Sequence, residues 1–303
     1  MSLAKEKIKL LEEQIDNIIN EELGIADEVV KLSDLIEKKV YGYLNNGITE
    51  KIFNVKTELS DVNVDFVYKE FNAPEDALTW INETGRYDGY SYETNTIYLG
   101  LYFIGGVMNT FDVSDTIMHE CSHYWECKNA GRTIHTDVYD AIYQGIRNRN
   151  PVISTICELL YYSNRNEISA FVNGTFSSAM KKNKKYENYI EFIQDNEIND
   201  LYTLLKNSQK TLSKYDMNNS YFFIAAYWLV GHDILHCDIE RVLPTLKMIT
   251  KRSYQYLIDK IGKAYALYTA KIKEKEEKIK DAKIKMILRR CLKGDIEKEN
   301  GDV

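Results

Sequence analysis

Apolar residues first recur at helical steps: Ile8, Leu11, Ile15 and Ile18 within residues 4 to 23, then, after Gly24, Val29, Leu32, Ile36 and Val40. Steps of three and four place such residues on one helix face, and the pattern stops at Asn45-Asn46-Gly47. The segment therefore predicts a helical hairpin or short coiled coil, packed on the rest of the chain or paired with a second copy of itself. The period then shortens. Ile52-Phe53-Asn54-Val55 and the run Val62 to Tyr68 alternate apolar and polar residues around a turn at Leu59-Ser60-Asp61, which predicts a β-hairpin. Pro74 opens a helix through Trp80 and Ile81 that ends near Thr84-Gly85, and Thr96 to Tyr102 reads as a third strand. Asp115 to Lys128 is helical in pattern, with Asp112 or Ser114 as its N-cap.

From Asp137 onward the periodicity is almost entirely helical, interrupted at Pro151 and at the polar stretch Tyr162 to Asn166. Residues 186 to 298 predict four or five further helices, the last long and highly charged. The expected fold class is α+β, predominantly helical. Three segments are expected: an N-terminal helical hairpin over 1–46, a domain with a small sheet over 47–182, and a C-terminal helical domain over 183–303.

Composition narrows the function classes. The 303 residues carry a formal net charge of -7, which disfavours a nucleic-acid partner because phosphate binding needs a basic surface. Lys and Glu alternate at helical spacing between residues 271 and 285, a solvated helix face. No run of uncharged apolar residues is long enough to span a membrane, and the N-terminus lacks an apolar signal core, so cytoplasmic residence is expected. Cys121, Cys127, Cys157, Cys237 and Cys291 are odd in number and include no Cys-x-x-Cys, so reduced, partly buried thiols are expected.

The candidate chemistry lies in His119-Glu120-Cys121-Ser122-His123. Residues four apart share a helix face, so His119 and His123 can present two imidazoles to one metal ion. Glu120 sits roughly 100° around the helix, close enough to act on a bound water without ligating the metal. Zn²⁺ suits two neutral nitrogens, one further protein ligand and an open position; it would acidify that water and leave Glu120 to act as general base.

The strand at Thr96 to Leu101 followed by Asp115-Thr-Ile-Met-His-Glu-Cys-Ser-His123 resembles the core of the zincin metallopeptidases, including small bacterial or phage-encoded members. The resemblance spans about residues 50 to 175 and implies a small sheet whose edge strand holds extended peptide above the His-Glu-x-x-His helix. Metzincins would need glycine and histidine where this chain has Glu126 and Asn129, so that subgroup does not apply. Three candidates remain for the third ligand. Glu167, 44 residues after His123, lies in Asn166-Glu167-Ile168-Ser169-Ala170-Phe171 and is similar to the Glu-x-x-Ala helix of gluzincins. Thermolysin-like members carry an Asp where this chain has Phe171, which leaves the partner that orients a histidine unassigned. His135 is placed like the third ligand of SprT-like zincins, and Asp137 or Asp140 like that of aspzincins, although the glycine-threonine lead is missing. Glu167 is preferred.

Other features have plainer readings. His232 and His236 stand four apart without a further clustered ligand, and packing or capping accounts for them. Tyr161 or Tyr162 could donate to an oxyanion near Glu167, or simply pack. Cys121 points to the core rather than acting as a nucleophile, and Gly105-Gly106 is a turn. The expected activity is zinc-dependent hydrolysis of peptide bonds in a peptide or protein substrate, with His119, His123 and Glu167 as ligands and Glu120 as base. Two alternatives stand beside it: a non-catalytic binding or assembly protein with a structural or degenerate metal site, and a zinc hydrolase of non-peptide amides.

Overall fold

The computed structural model describes residues 27–84, 88–104, 110–130 and 137–299. The expected helix over 4–23, the Gly105-Gly106 turn and His135 lie outside these residues. Helix α1 (Asp27–Leu44) leads into strands β1 (Glu50–Lys56) and β2 (Asp61–Phe71), helix α2 (Pro74–Thr84), and strands β3 (Gly89–Ser91) and β4 (Thr96–Ile104). Helices α3 (Thr110–Ala130), α4 (Asp137–Ile146), α5 (Pro151–Tyr162) and α6 (Arg165–Lys182) follow. Then come α7 (Tyr189–Gln194), α8 (Ile198–Leu212), α9 (Ser220–Gly231), a 3₁₀ turn (Ile239–Arg241) and the long α10 (Val242–Glu299). The protein is α+β and mostly helical, 68% helix, with one small mixed sheet.

The four strands lie in the order β1-β2-β4-β3. The β1–β2 hairpin is antiparallel with Glu50 opposite Val67, as the alternating pattern predicts. β4 pairs parallel to β2, with Asn63 opposite Thr96, and α2 provides the crossover that a parallel connection requires. β3, which the sequence pattern did not reveal, pairs antiparallel with the start of β4 over only three residues. Beyond Tyr98 the outer edge of β4 has no strand partner among the described residues.

Alternation sets the buried face: Val62, Val64 and Phe66 from β2 and Ile97, Leu99 and Leu101 from β4 all lie at 3% exposure or less. Each such side chain removed from water contributes on the order of 1.5–3 kcal/mol. Helix α3 covers this face with Val113, Ile117, Cys121 and Tyr124, a stripe at three- and four-residue steps. The helix begins at Thr110, a turn earlier than its pattern predicts, so Asp112 and Ser114 lie inside it rather than at its N-cap. Val113 is fully buried, which extends the apolar stripe upstream, and Ser114 instead accepts a bond from Lys181 at 2.8 Å and donates to Glu37 at 3.2 Å.

Two hydrophobic cores result. The first joins α1, the sheet, α3, α6, α7, α8 and the stretch of α10 around Leu257 to Ile272. The second joins α4, α5, α9 and the chain from Leu212 to Leu246. Along the sequence the two cores interleave rather than follow one another. Helices α3 and α6 pack so closely that a side chain at Gly174 would collide with Asp115. A buried bond from Asn173 Nδ2 to Ser122 Oγ (3.2 Å) fixes their register. No helix among the described residues is long and apolar enough to cross a membrane.

Candidate metal centre

The α3–α6 contact brings together residues far apart in sequence. His119 and His123 lie one turn apart on α3, and their Nε2 atoms converge to 3.1 Å. Glu167 arrives from the first turn of α6, a helix started by Asn164, whose side chain accepts from the Asn166 N–H at 2.9 Å. Its Oε2 lies 3.7 Å from His119 Nε2 and its Oε1 lies 3.6 Å from His123 Nε2. These ligand atoms all fall within 4.8 Å of one another, and no other group of this kind occurs among the described residues. Two nitrogens bound to tetrahedral zinc at ordinary lengths lie roughly 3.3 Å apart, so the observed spacing already matches metal ligation.

The surroundings of each ligand are specific. Phe171, at the position where an aspartate was lacking, packs edge-on against the His119 ring with centroids 4.6 Å apart. Glu126 faces the other ring, its Oε2 3.9 Å from His123 Nδ1, within ion-pair reach but too long for a hydrogen bond. Tyr139, from α4, donates its hydroxyl hydrogen to Glu167 Oε1. Glu167 is 3% exposed, and its Oε2 has no hydrogen-bond partner.

Burial, helped by the neighbouring His123, holds the His119 imidazole well below its ordinary pKa and leaves a lone pair on the ring. Burial also opposes charge on His123, but Glu126 and Glu167 outweigh it and hold that ring well above its ordinary value. The same balance works on Glu167: burial would raise its pKa, yet His123, His119 and the Tyr139 hydroxyl bring it down to about 2. The centre thus gathers ionised carboxylate around a position where a cation can take the place of the His123 proton. The donor set of two imidazoles and one carboxylate, with an orphaned buried oxygen, fits a divalent metal ion.

Glu120 stands beside the ligands. It is 5% exposed, one of its oxygens has no hydrogen-bond partner, and burial pushes its pKa up to about 8 against the pull of His123. It lines a cleft of two adjoining lobes, about 310 and 290 Å³, that share Asp88, His119, Glu120, Tyr143 and Tyr161. One lobe reaches His123 and Glu167, and the other reaches Asp115, Phe171 and Tyr102 of β4.

The remaining sequence candidates separate cleanly. Asp140 lines the cleft but joins no ligand cluster, and Asp137 is exposed at the start of α4. His232 stacks on Trp228 with centroids 4.4 Å apart and sets Nδ1 2.8 Å from the Trp228 carbonyl, so it ends α9 and packs. Cys121 is fully buried, and burial first, then Glu120 and Asp34, pushes its thiol well above the ordinary value. It is no nucleophile. Among the described residues Cys121, Cys127, Cys157 and Cys237 take part in no disulfide, the first three buried and Cys237 partly so.

Sequence reasoning missed Tyr139, Tyr143, Asp88 and the packing role of Phe171. The spacing of α4 marks Tyr139 and Tyr143 as one helix face, but nothing in it ties that face to Glu167. Family models, curated proteins and solved structures alike give no match to this chain, so its chemistry is read from its own residues.

Proposed function

We propose that this chain is a zinc-dependent peptidase of zincin type, with His119, His123 and Glu167 as the metal ligands and Glu120 as general base. One observation carries the reading. A buried carboxylate that ligates nothing, Glu120, lies on the cleft directly beside three converging ligand atoms. A purely structural metal site has no need of such a group. Two imidazoles and one carboxylate form the ligand set that catalytic zinc favours, with a position left for water or substrate. Zinc there would polarise a substrate carbonyl and lower the pKa of water.

The side chains then divide the work. His119 and His123, neutral when ligating, fix the position of the metal, and Glu167 supplies one negative charge. Glu120 takes a proton from water as the water oxygen bonds to the carbonyl carbon. It delivers that proton to the amine nitrogen as the carbon–nitrogen bond breaks. Burial raises the Glu120 carboxyl above its ordinary value, which strengthens it as a proton acceptor. Beyond Tyr98 the outer edge of β4 has no strand partner among the described residues, although the Asp88 carboxylate accepts the Gly100 N–H. The edge groups past it lie beside the cleft where an extended peptide could pair, which favours peptide over a small amide as substrate.

The test is metal content and peptide hydrolysis measured together in wild type, Glu120→Gln, His135→Ala and Glu167→Ala. The expected result is about one zinc per chain in wild type, Glu120→Gln and His135→Ala, loss of zinc in Glu167→Ala, and hydrolysis lost in Glu120→Gln. A wild type without zinc after zinc-supplemented preparation refutes the metal assignment. Full hydrolysis by Glu120→Gln refutes the catalytic one.

A further inference from the structure

The cleft is lined from both cores, and they contribute different things. The three ligands and Glu120 stand on α3 and α6 of the first core, while Tyr139 and Tyr161 stand on α4 and α5 of the second. These two tyrosines form a chain that ends on a ligand. The Tyr161 ring packs against that of Tyr139, with centroids 5.5 Å apart and planes tilted by 56°. Tyr139 in turn donates to Glu167 Oε1. The other carboxylate oxygen, Oε2, has no hydrogen-bond partner and faces His119 Nε2 at 3.7 Å, while Oε1, besides accepting from Tyr139, faces His123 Nε2 at 3.6 Å.

A carboxylate with both oxygens free can ligate a cation through one or both and can swing between them. Here one oxygen, Oε1, accepts the Tyr139 hydroxyl hydrogen, which competes with a cation for that oxygen. We infer that Tyr139, held in place by Tyr161, is a positioning residue that selects Glu167 Oε2 as the metal-facing oxygen. It thereby enforces one-oxygen ligation and sets the metal affinity of the centre. This rests on the metal reading proposed above and adds to it a source of affinity supplied by the second core.

The expected effect is on the metal rather than on turnover alone. Partners that orient a ligand through a hydrogen bond typically contribute roughly ten- to a hundredfold in metal affinity. Zinc affinity is measured by competition with a chelator of known strength, in wild type, Tyr139→Phe, Tyr161→Phe and the double variant. Thermal unfolding of each metal-free variant checks the fold. Tyr139→Phe is expected to weaken zinc by roughly tenfold or more, and Tyr161→Phe by less. The double variant should be no weaker than Tyr139→Phe, because both act through one bond. Replacing zinc by Co²⁺ gives a second readout: visible absorption in Tyr139→Phe should fall in intensity as a second carboxylate oxygen joins the metal. Tyr143→Phe, from the same helix and the same cleft, is the control and should bind zinc as wild type does.

If wild type and Tyr139→Phe bind zinc within twofold of each other while Glu167→Ala loses it, the positioning role is wrong and the metal site stands. Equal weakening by Tyr143→Phe would likewise overturn it, as a general effect of the cleft wall. A wild type that binds no zinc removes both readings.

Discussion

The two hydrophobic cores of this protein are built by different rules. The second, around α4, α5 and α9, buries only apolar side chains: among described residues 137–162 and 213–246, no buried residue is polar. The first buries Asp115, Glu120, Ser122, Glu167 and Asn173 between α3 and α6. An unpaired buried charge costs several kcal/mol, roughly, even after the protein relaxes around it. A core that holds Glu120 and Glu167 with oxygens left unpartnered is therefore arranged for something other than its own stability. The difference teaches where to look for chemistry: in the core that buries acids whose oxygens lack hydrogen-bond partners. The apolar core supplies volume and, through two tyrosine hydroxyls, a wall for the cleft.

The largest expected effect comes from the residue that stability would least miss. Glu120→Gln replaces a buried acid by a neutral amide of the same shape. Peptide hydrolysis should fall by roughly 10²–10⁴-fold, the usual contribution of a positioned acid–base group, while zinc stays bound. Thermal stability should hold or rise. Hydrolysis and metal content measured on one preparation decide it. A drop in stability alongside retained activity would mean that Glu120 is structural and that the contrast between the cores is misread.

Equal cavities in the two cores sharpen the comparison further. Leu229 of α9 and Ile117 of α3 are both fully buried. Truncating either to alanine should cost about 2–5 kcal/mol in urea unfolding. Only Ile117→Ala should also weaken zinc, because it loosens the helix that carries His119 and His123. If Leu229→Ala weakens zinc equally, the cores act as one unit and the division fails.

Metal removal is the next step down. A ligand bound only by the folded state stabilises it by about 4 kcal/mol when present at a thousand times its dissociation constant. A chelator should therefore lower the melting temperature of wild type by several degrees. It should leave that of Glu167→Ala unchanged, since that variant holds no zinc to lose. Scanning calorimetry with and without chelator separates the two. A chelator-insensitive wild type would count against the centre as a folding determinant.

Much of this was legible in sequence, for identifiable reasons. Period-two alternation gave the β1–β2 hairpin, and the helix of His119 to His123 followed from four-residue spacing and a flanking apolar stripe. Glu167 was singled out by its likeness to the Glu-x-x-Ala helix of gluzincins, and the structure brings it within reach of both histidines. The parallel pairing of β2 with β4 was not legible, since alternation carries no information about strand direction. β3 is too short to show a period. The shared core of α4, α5 and α9 was invisible because amphipathic helices announce a buried face but not its partner. For the same reason Tyr139 looked like one more packing tyrosine: its hydrogen bond depends on how α4 meets α6. The His135 position lies outside the described residues, so the choice between it and Glu167 rests on the convergence of Glu167 with both histidines.

The smallest effect belongs to the rim of the first core, where charged groups are paired and half-buried or exposed. Asp195 accepts from Tyr186 OH at 3.0 Å and faces Lys184 at 3.3 Å and Lys182 at 3.7 Å, tying the end of α6 to the end of α7. Slight burial would raise its pKa, but the Tyr186 hydroxyl and the two lysines outweigh it and hold the carboxyl below its ordinary value. A carboxyl with a lower pKa folded than unfolded stabilises the fold above the unfolded value of about 3.9. That contribution is lost as pH falls through the folded value. Because these side chains meet solvent, the whole contribution should stay under about 1 kcal/mol. Asp195→Asn should therefore unfold slightly more easily than wild type in urea at neutral pH, and the gap should close as pH falls below the ordinary carboxyl value and through the lower folded one. A gap that persists below that folded value would assign the loss to packing of the amide. The rim would then resemble the core, and the distinction between paired polar groups at its edge and strained ones at its centre would have to be drawn elsewhere.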